Sequence, residues 1–458
     1  MAKKNNIKDK VFSYKGKKNK SLGTISIKGK TNIISESNVQ YQVEIRKRID
    51  ESWDFRKANT KEYTHCFHTY PAMMIPQVAR RIIENYGKKS KLLFDPYCGT
   101  GTSLVEANLK GINAIGTDIN PLARLIATAK TTKISIRVLD SYLNDFMNYF
   151  FSLNFQQDKV SSIIIPRVKN IDFWFSKTIQ KKLGLLRGYI ETINDIAIKN
   201  FFKVAFSETV RETSYVKQSE FKLVRIKNLK EKEDIDVIGI MIKKLSRNKQ
   251  GLIQFLESCP TDTITYVYDF NTVKRIPQNL VQTNSIDIVL TSPPYGDSRT
   301  TVAYGQYSRL ANEWLGFTDA NKVDSLLMGG EKRKHQHIFR SKLLNDVIQT
   351  IQTLDKERAR DVISFYEDYE QSIKNVSLTV KKGGFVCYVV GNRTVKGSII
   401  PTDEITAQLF ESNNFTHIET IIRNIPNKRM PLKNSPSNVV GETASTIKNE
   451  YIVICQKN

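Results

Sequence analysis

The sequence predicts an α/β fold in which a mixed, mostly parallel sheet is covered by helices and interrupted by helical inserts. Two observations predict it. Residues 91–123 read as a strand, a glycine-rich turn, a helix and a second strand, which together form a βαβ unit. Short β-rich segments bounded by turn or charged residues recur much later, at 285–292, 381–392, 416–425 and 449–456. We therefore expect one sheet assembled from distant parts of the chain.

The first elements follow in order along the chain. Residues 1–35 are rich in Lys, Asn, Gly and Ser and lack apolar periodicity, which predicts a basic flexible arm. Apolar residues near a helical spacing predict an amphipathic helix over 70–87, and the apolar run 92–95 predicts the first strand of the sheet. The helix after the glycine turn is expected between Thr102 and Gly111, followed by a strand at "NAIGTD".

Larger parts of the chain complete the predicted organisation. Residues 36–130 should form the first part of the α/β domain, and residues 263–458 should form the second part. Between them, 131–262 has mostly helical spacing and is expected to be a helical insert. A second insert, near 297–370, contains the basic run "EKRKHQHIFRSK".

Composition limits the class of protein. With 458 residues, of which 40% are hydrophobic, the chain can form a large core and two or three domains. No apolar stretch reaches the roughly 18 residues of a membrane helix, and the start lacks the apolar core of a secretory signal. We therefore expect a soluble, cytoplasmic protein without a membrane partner. The five cysteines are scattered, which predicts reduced thiols, and the histidines lack the spacing of a metal site, so no metal is expected.

The positive charge favours a polyanionic partner. The net charge is +24 and the isoelectric point is near 9.6. Many Lys and Arg side chains can neutralise phosphates and release counterions, so this charge favours nucleic acid. A solvated basic surface in a lysine-rich protein is the alternative explanation.

The turn "DPYCGTGT" has the features of a ligand-binding loop. Gly99 and Gly101 would let a ligand approach the backbone closely between a strand and a helix. Leu104 stands where the third glycine of the dinucleotide pattern would be, which argues against NAD. Asp118 ends the second strand, near the roughly 20-residue spacing of a carboxylate that holds ribose hydroxyls. The loop indicates an adenosine-containing ligand, with a structural tight turn and a helix-capping aspartate as the alternatives.

The stretch "SIDIVLTSPPYG" places two prolines directly after an apolar strand. Pro293 and Pro294 cannot donate to a sheet ladder and must end it, so Ser292 and Tyr295 lie at the carboxyl end of the strand. A surface turn that happens to contain two prolines is the alternative. The position of the motif, downstream of a glycine loop with an acidic partner, favours a functional loop.

These motifs resemble those of a known family. "DPYCGTGT", "TDIN" and "TSPPYG" look like the cofactor-binding and catalytic motifs of S-adenosylmethionine-dependent amino-methyltransferases of DNA. Ser292 is typical of the cytosine-N4 enzymes of restriction–modification systems, whereas adenine-N6 enzymes usually have Asp or Asn at that position. "FHTYPAMM" (67–74) resembles the segment that closes over the methionine end of the cofactor, and "YVYDFNTVKRI" resembles the strand end before the catalytic strand.

The resemblance implies a Rossmann-like methyltransferase fold with a seven-stranded sheet. It also implies S-adenosyl-L-methionine as the cofactor, double-stranded DNA as the substrate and a cognate restriction endonuclease as a further partner. The implied catalytic residues are Ser292, Pro293, Pro294 and Tyr295. The implied cofactor-binding residues are Tyr70, Pro71, Asp95, Cys98, Gly99, Thr100, Gly101, Thr102, Asp118, Ile119, Asn120 and Asp269.

The chemistry of an exocyclic amine is consistent with the "SPPY" motif. The lone pair of such an amine is conjugated to the ring, so an enzyme must localise it with hydrogen-bond acceptors and align it with the sulfonium methyl. Ser292 Oγ and the Pro293 carbonyl suit this role, and Tyr295 can stack on the base. The base must be flipped out of the duplex at a cost of a few kcal/mol. Cytosine-C5 chemistry instead needs a cysteine nucleophile, and the chain has no Pro-Cys pair.

The two inserts supply candidates for contact with DNA. The helical insert is a candidate for target recognition, and side chains after the catalytic motif could surround the flipped base. The basic run could contact phosphates, with an ordinary solvated charge run as the alternative. The candidate residues are Arg299, Tyr304, Gln306, Tyr307, Arg309, Lys332, Arg333 and Lys334.

Three alternative functions stay open. The glycine loop precedes the catalytic motif, the reverse of the order in many "SPPY" enzymes, which keeps adenine-N6 methylation open. RNA base methylation is the second, although the sequence has no separate RNA-binding module. The third is a catalytically silent nucleic-acid-binding subunit, which would be expected to lose the glycine loop or the "SPPY" motif.

Overall fold

The computed structural model describes residues 32–36, 39–43, 46–152, 163–233, 235–297, 303–318, 320–333, 337–425, 433–434, 444–445 and 447–458. Its strands are β1 (Asn32–Glu36), β2 (Val39–Val43), β3 (Lys47–Ile49), β4 (Leu92–Asp95), β5 (Asn113–Thr117), β6 (Thr265–Tyr268), β7 (Ile286–Thr291), β8 (Val380–Val390), β9 (Arg393–Val395), β10 (Ser398–Ile400), β11 (Phe415–Asn424), β12 (Lys433–Asn434), β13 (Ala444–Ser445) and β14 (Asn449–Lys457).

The helices, in the same numbering, are α1 (Pro76–Tyr86), α2 (Thr102–Leu109), α3 (Pro121–Thr131), α4 (Ile136–Ser152), α5 (Ile171–Trp174), α6 (Lys177–Thr192), α7 (Ile196–Thr213), α8 (Val237–Ser258), α9 (Tyr304–Leu315), α10 (Val323–Leu326), α11 (Lys342–Leu354), α12 (Lys356–Ser377) and α13 (Thr402–Glu411). Short 3₁₀ helices span Glu51–Trp53, Tyr63–Phe67 and Leu229–Lys232.

Eight strands form the central sheet, in the order β3-β11-β14-β8-β7-β4-β5-β6. Strand β14 runs antiparallel to both of its neighbours, and the other pairs are parallel. The predicted α/β fold with a mixed, mostly parallel sheet is therefore confirmed, but the sheet has eight strands and not seven. The additional strand is β3, whose three residues "KRI" pair with β11 at the edge. Because this segment is short and mostly polar, it shows no alternation of apolar residues. The sequence therefore does not predict β3.

Buried side chains alternate between the two faces of the central strands, as strand geometry requires. In β4, Leu93 packs in one core with side chains of α1 and α2, whereas Phe94 packs in another core with side chains of α11, α12 and α13. In β7, Ile288 lies in the core of Leu93, and Val289 lies in the core of Phe94. Helices therefore cover both faces of the sheet.

A third core joins the helices of residues 131–262 to the rest of the fold. In the described part of that segment the structure has α4 to α8, and Phe146, Phe201 and Phe202 are among its largest buried side chains. The same core contains Ile126 of α3 and Trp314 of α9. The helical segment therefore packs directly against the elements that surround the sheet, and its role in target recognition stays a prediction.

Two local features differ from the sequence-based expectations. Helix α1 begins at Pro76 and not at residue 70, because Pro76 is favourable in the first helical turn and the preceding residues form an irregular segment. The last residues of the expected flexible arm belong to β1, which pairs antiparallel with β2. Alternation of β-branched or aromatic residues with glutamine in "VQYQV" favours this hairpin.

Several general features of the chain concern thiols, membranes and metals. The five cysteines are free thiols. Within the described ranges, no helix combines the length and apolar character needed to cross a bilayer. Nor does that part of the chain bring together three or more His, Cys, Asp or Glu side chains that could hold a metal ion.

Candidate active site

The site lies at the carboxyl edge of the sheet, where the order of the strands reverses. From β4 the chain continues to β5 and β6 on one side, and β7 and β8 lie on the other side. Such a reversal opens a crevice between neighbouring loops. A cleft occupies this position, and it is lined by the loops after β4, β5, β6 and β7 and by residues 70–74.

The glycine loop after β4 presents its backbone to the cleft. Gly99 has a φ of +48° and Gly101 a φ of +77°, a left-handed conformation that favours glycine. A Cβ atom on Gly99 would meet no atom within 4 Å, so the space above its backbone is open. A Cβ atom on Gly101 would lie 3.0 Å from Ala127 Cβ, so this glycine allows α2 and α3 to pack closely. Gly99 thus faces the cleft, whereas Gly101 shapes the turn behind it.

Asp118, at the end of β5, holds the glycine loop and the start of α3. Its carboxylate accepts hydrogen bonds from the backbone N–H of Gly99 at 3.0 Å and of Asn120 at 2.7 Å. Burial raises the pKa of Asp118, although these donors and the nearby Arg124 oppose the shift. The side chain is half-buried and lines the cleft. Because a carboxylate can accept about four hydrogen bonds, Asp118 keeps acceptor capacity for a ligand.

Asp95, at the end of β4, connects the glycine loop to the strand before the "SPPY" motif. It accepts hydrogen bonds from Thr291 Oγ1 at 2.5 Å, from Ser103 Oγ and from the backbone N–H of Tyr97 at 3.1 Å. Burial raises its pKa to about 6, against the effect of these donors. The contact with Thr291 fixes the ends of β4 and β7 relative to each other.

Aromatic rings form one wall of the cleft. Tyr70 and Tyr304 are stacked, with 6.1 Å between ring centroids and 14° between ring planes. The amide of Asn120 donates to Tyr70 Oη at 2.7 Å and to Ser308 Oγ at 2.9 Å. Tyr304, a candidate for contact with DNA, therefore lies in the packed wall of the cleft that also contains the expected cofactor residue Tyr70.

The "SPPY" motif begins at the cleft. Ser292 and Pro294 line it, and Pro293 is buried between them. Ser292 Oγ lies 3.1 Å from the carbonyl oxygen of Val389 and 3.3 Å from Tyr295 Oη. A hydroxyl has one hydrogen and two lone pairs, so donation to either partner leaves Ser292 with acceptor capacity.

Tyr295 does not line the cleft in this structure. Its hydroxyl donates to Glu450 Oε1 at 3.0 Å. Its ring packs on Gly391, where a Cβ atom would lie 2.7 Å from Tyr295 Cδ2. Burial, followed by the negative charge of Glu450, raises the pKa of Tyr295 well above its usual value. In this structure the ring therefore packs against Gly391 and does not face the cleft. Its stacking on a flipped base stays a prediction.

Glu450 and Arg423 form an ion pair behind the motif that the sequence does not predict. Arg423 Nη1 donates to Glu450, and Arg423 Nε donates to the carbonyl oxygen of Trp53 at 2.8 Å. Only 4% of Arg423 is exposed. Both residues lie in strands of mixed polar and apolar residues, "THIETIIRNI" and "NEYIVICQ". Because Glu419 and other polar residues stand in the same segments, no signal in the sequence singles out this pair.

A second ion pair follows the motif. Arg393 Nη1 lies 3.1 Å from Asp297 Oδ2, and both side chains are buried. A Cβ atom on Gly296 would lie 1.8 Å from Arg393 Nη1. The glycine of "SPPYG" therefore makes room for the guanidinium that anchors the start of the second insert.

Asp269 is the expected cofactor residue that the structure places farthest outward. Its carboxylate pairs with Arg124 at 2.7 Å, and 67% of the side chain is exposed. The residues after it, Phe270 and Asn271, line the cleft instead. The expected cofactor residues that do line the cleft are Tyr70, Pro71, Asp95, Cys98, Gly99, Thr100, Thr102, Asp118, Ile119 and Asn120.

Two of the candidate DNA-contacting residues face inward. Tyr307 is buried, and its hydroxyl donates to the carbonyl oxygen of Thr69 at 2.8 Å. Gln306 Oε1 accepts a hydrogen bond from the backbone N–H of Leu223 at 3.3 Å. Both side chains face inward because α9 packs against the helical core. Two further candidates, Arg299 and Lys334, lie outside the described residues.

The described cationic candidates all pair with acidic side chains. Arg309 pairs with Glu313 one turn later in α9, at 3.1 Å. Lys332 and Arg333 pair with acidic residues of α12. These cations therefore lie in ion pairs within the protein, because α9 and α12 present carboxylates to them, and their contact with phosphates stays a prediction.

Comparison with known proteins shows the family. A family model described as DNA methylase matches residues 3–128. The type II methyltransferase M.MvaI of Kocuria varians is 38% identical over 423 residues, which cover 87% of this chain and 92% of that protein. The type II methyltransferase M.BsoBI of Geobacillus stearothermophilus is 20% identical over 415 residues, 79% of this chain and 81% of that protein. A tRNA (guanine(10)-N2)-dimethyltransferase of Methanocaldococcus jannaschii is 28% identical over 178 residues, 37% of this chain and 45% of that protein.

Methyltransferases of this family use S-adenosylmethionine, and the residues of the cleft fit it. The backbone at Gly99 leaves open space for a ligand, and Asp118 offers carboxylate acceptors suited to hydroxyl groups. Ser292 also lines the cleft, so a bound cofactor would lie beside the "SPPY" motif. The similarity to M.MvaI extends over nearly the full length of both chains. The protein therefore belongs to the type II DNA methyltransferases, with S-adenosylmethionine as its cofactor.

Proposed function

We propose that the protein transfers a methyl group from S-adenosylmethionine to the exocyclic N4 amine of a flipped-out cytosine in double-stranded DNA. The observation that carries this proposal is the position of Ser292, which lines the cleft with acceptor capacity on its hydroxyl. The resemblance of "SPPY" to cytosine-N4 enzymes supports cytosine. Adenine-N6 methylation is the second candidate, supported by the position of the glycine loop before the catalytic motif.

In the proposed mechanism the residues of the chain align and activate the amine. The cofactor supplies an electrophilic methyl group on a sulfonium. Ser292 Oγ and the Pro293 carbonyl accept hydrogen bonds from the amine, which localises its lone pair on nitrogen and directs it along the line of transfer. The rings of Pro293 and Pro294 restrict the backbone that carries these acceptors.

The biological role proposed is protection of DNA in a restriction–modification system. Similarity to type II methyltransferases supports this role, and a cognate endonuclease would recognise the same site on DNA. The charge of +24 supports binding to phosphates, with the helical segment 131–262 and the insert near 297–370 as the proposed DNA-contacting regions.

The product of the reaction tests this proposal directly. The protein is incubated with S-adenosylmethionine and mixed-sequence duplex DNA, the DNA is digested to nucleosides, and the methylated base is identified by mass spectrometry. We expect N4-methylcytosine. N6-methyladenine would retain the family but overturn the choice of base based on Ser292. Product on RNA alone would favour RNA methylation, and no product despite cofactor binding would favour a silent nucleic-acid-binding subunit.

Glu450 should act as a positioning residue for the catalytic loop. We expect Glu450→Gln to lower the rate of methyl transfer about tenfold, a factor that corresponds to roughly 1.4 kcal/mol, because a neutral amide holds Tyr295 and Arg423 less strongly than a carboxylate does. The affinity for S-adenosylhomocysteine should stay within about twofold of the wild type. Single-turnover kinetics and calorimetry measure the two quantities.

Glu419→Gln is the matched control for this variant. Glu419 also lies in the sheet and accepts hydrogen bonds from Tyr86 Oη and from Arg48 Nε, but it has no contact with the "SPPY" loop. Equal losses in the two variants, or parallel losses of transfer rate and cofactor affinity, would show that Glu450 supports the sheet and not the loop.

A further inference from the structure

Lys130 is a completely buried lysine beneath the glycine loop. It lies in the last turn of α3, and its side chain has no exposed surface. Its Nζ donates to Thr100 Oγ1 at 3.3 Å. Thr100 in turn lines the cleft, so one hydroxyl separates a buried amine from the cleft.

Lys130 lacks a counter-ion among the residues that the structure describes. Two buried acids in the same layer are already bound to other cations: Glu106 pairs with Arg80, and Glu208 pairs with Arg247. No described carboxylate forms an ion pair with Lys130 Nζ, whose hydrogen-bond partner is the neutral Thr100 hydroxyl. A buried charge without a partner is unfavourable, so an anion delivered by a ligand would stabilise the protonated amine.

Thr100 is suited to transmit this interaction into the cleft. Its Oγ1 accepts the hydrogen bond from Lys130. The same Oγ1 donates its hydrogen to Met73 Sδ, which lies 3.0 Å from it. A thioether is a weak acceptor. The hydroxyl can therefore turn to a stronger acceptor in the cleft while it still accepts from Lys130.

The charges in the cleft indicate which group of the cofactor lies next to Thr100. S-adenosylmethionine carries one carboxylate, in its amino-acid portion. Asp95 and Asp118 line the cleft after β4 and β5, and both would repel this carboxylate. The position in front of Thr100 instead has a buried amine behind it. We propose that protonated Lys130 is the counter-ion of the cofactor carboxylate and holds it through the Thr100 hydroxyl.

The ionisable groups around Lys130 leave it free to titrate near neutral pH. Burial lowers the pKa of Lys130 to about 7. Burial also lowers the pKa of His65 and that of His68, the latter to about 4, and raises the pKa of Cys66, so these groups stay neutral between pH 7 and pH 8.5. Other helices also contribute charged side chains to this region, and these are already in ion pairs with one another. They are Arg80 of α1, Glu106 of α2, Glu208 of α7, and Lys244 and Arg247 of α8.

Binding of the cofactor carboxylate should therefore be coupled to a proton. The carboxylate favours the protonated amine and raises the pKa of Lys130 in the complex. At pH values below the pKa of the free protein the amine is already charged, so affinity does not depend on this group. Above that pKa the protein must take up a proton to bind, and the affinity falls by up to about tenfold per pH unit.

Two ligands, one with and one without the amino-acid portion that carries the carboxylate, test the inference by titration calorimetry. S-adenosylhomocysteine has the amino-acid portion, whereas 5′-methylthioadenosine keeps the adenosine and thioether and lacks it. We expect Lys130→Met to weaken binding of S-adenosylhomocysteine about tenfold at pH 7 and to leave 5′-methylthioadenosine within about twofold. Lys177→Met is the control, because Lys177 is 79% exposed and lies on α6.

The wild-type protein provides a measurement that does not depend on a variant. Between pH 7 and pH 8.5 its affinity for S-adenosylhomocysteine should fall, and the binding heat should vary with the ionisation enthalpy of the buffer, as proton uptake requires. A flat affinity with buffer-independent heat would overturn the inference, as would equal weakening of both ligands in Lys130→Met. A wild-type protein that binds neither ligand would overturn the cofactor assignment itself.

Discussion

Ser292→Ala should reduce the rate of methyl transfer by about 10²–10³-fold, the loss typical of removing one positioned hydrogen-bonding group from a transition state. Ser292 lines the cleft, and donation of its hydrogen to Val389 or Tyr295 leaves its lone pairs free to accept. Alanine removes this acceptor and leaves the backbone of the loop in place. Single-turnover measurements with saturating S-adenosylmethionine give the rate of the transfer step.

The affinity of Ser292→Ala for S-adenosylhomocysteine should remain within about threefold of the wild type, because Asp118 and the glycine loop are untouched. Ser285→Ala is the matched control: Ser285 precedes the same strand at its opposite end, where its hydroxyl donates to the carbonyl oxygen of Gln282. Near-normal transfer in Ser292→Ala, or a loss of cofactor affinity with normal transfer, would contradict the role proposed for this serine.

Asp118→Ala should weaken binding of S-adenosylhomocysteine by about 10- to 100-fold, as expected for the loss of hydrogen bonds to a charged acceptor. The carboxylate faces the cleft and also accepts from the backbone N–H of Gly99 and Asn120. Alanine therefore removes a ligand acceptor and the contact that holds the glycine loop. Titration calorimetry measures the affinity, and the transfer rate at saturating cofactor should change little.

Asp269→Ala separates the two carboxylates expected to bind the cofactor. Asp269 is largely exposed and pairs with Arg124 outside the cleft lining, so this variant should bind S-adenosylhomocysteine within about threefold of the wild type. An equal loss in the two variants would show that the ligand extends to Asp269 and that the cleft is wider in the complex.

The parts of the site that the sequence predicts are those in which a short segment carries its own chemistry. Gly99 is needed where the backbone approaches a ligand, and Asp118 follows it at a spacing fixed by one βαβ unit. Ser292 follows an apolar strand and precedes two prolines that must end it. In each case the information is local, and parallel pairing of β4 with β5 and β7 brings the three residues to one edge of the sheet.

The parts that the sequence does not predict depend on pairing across long distances in the chain. Glu450 meets Tyr295, and Arg393 meets Asp297, only because β8 pairs with β7 and β14 pairs with β8 in the completed sheet. The pairing of Arg333 with α12 similarly depends on how the second insert folds back. Strand β3 is too short and too polar to show a pattern of its own.

The position of β14 has a consequence for synthesis of the protein on the ribosome. This strand follows all the others of the central sheet in sequence, yet it lies between β8 and β11. A nascent chain that has not reached residue 449 therefore holds two sheet fragments with facing open edges, which are sites of aggregation in incomplete β structures. The same chain also lacks Glu450. Formation of the contact between Tyr295 and Glu450 is thus coupled to insertion of β14 into the sheet.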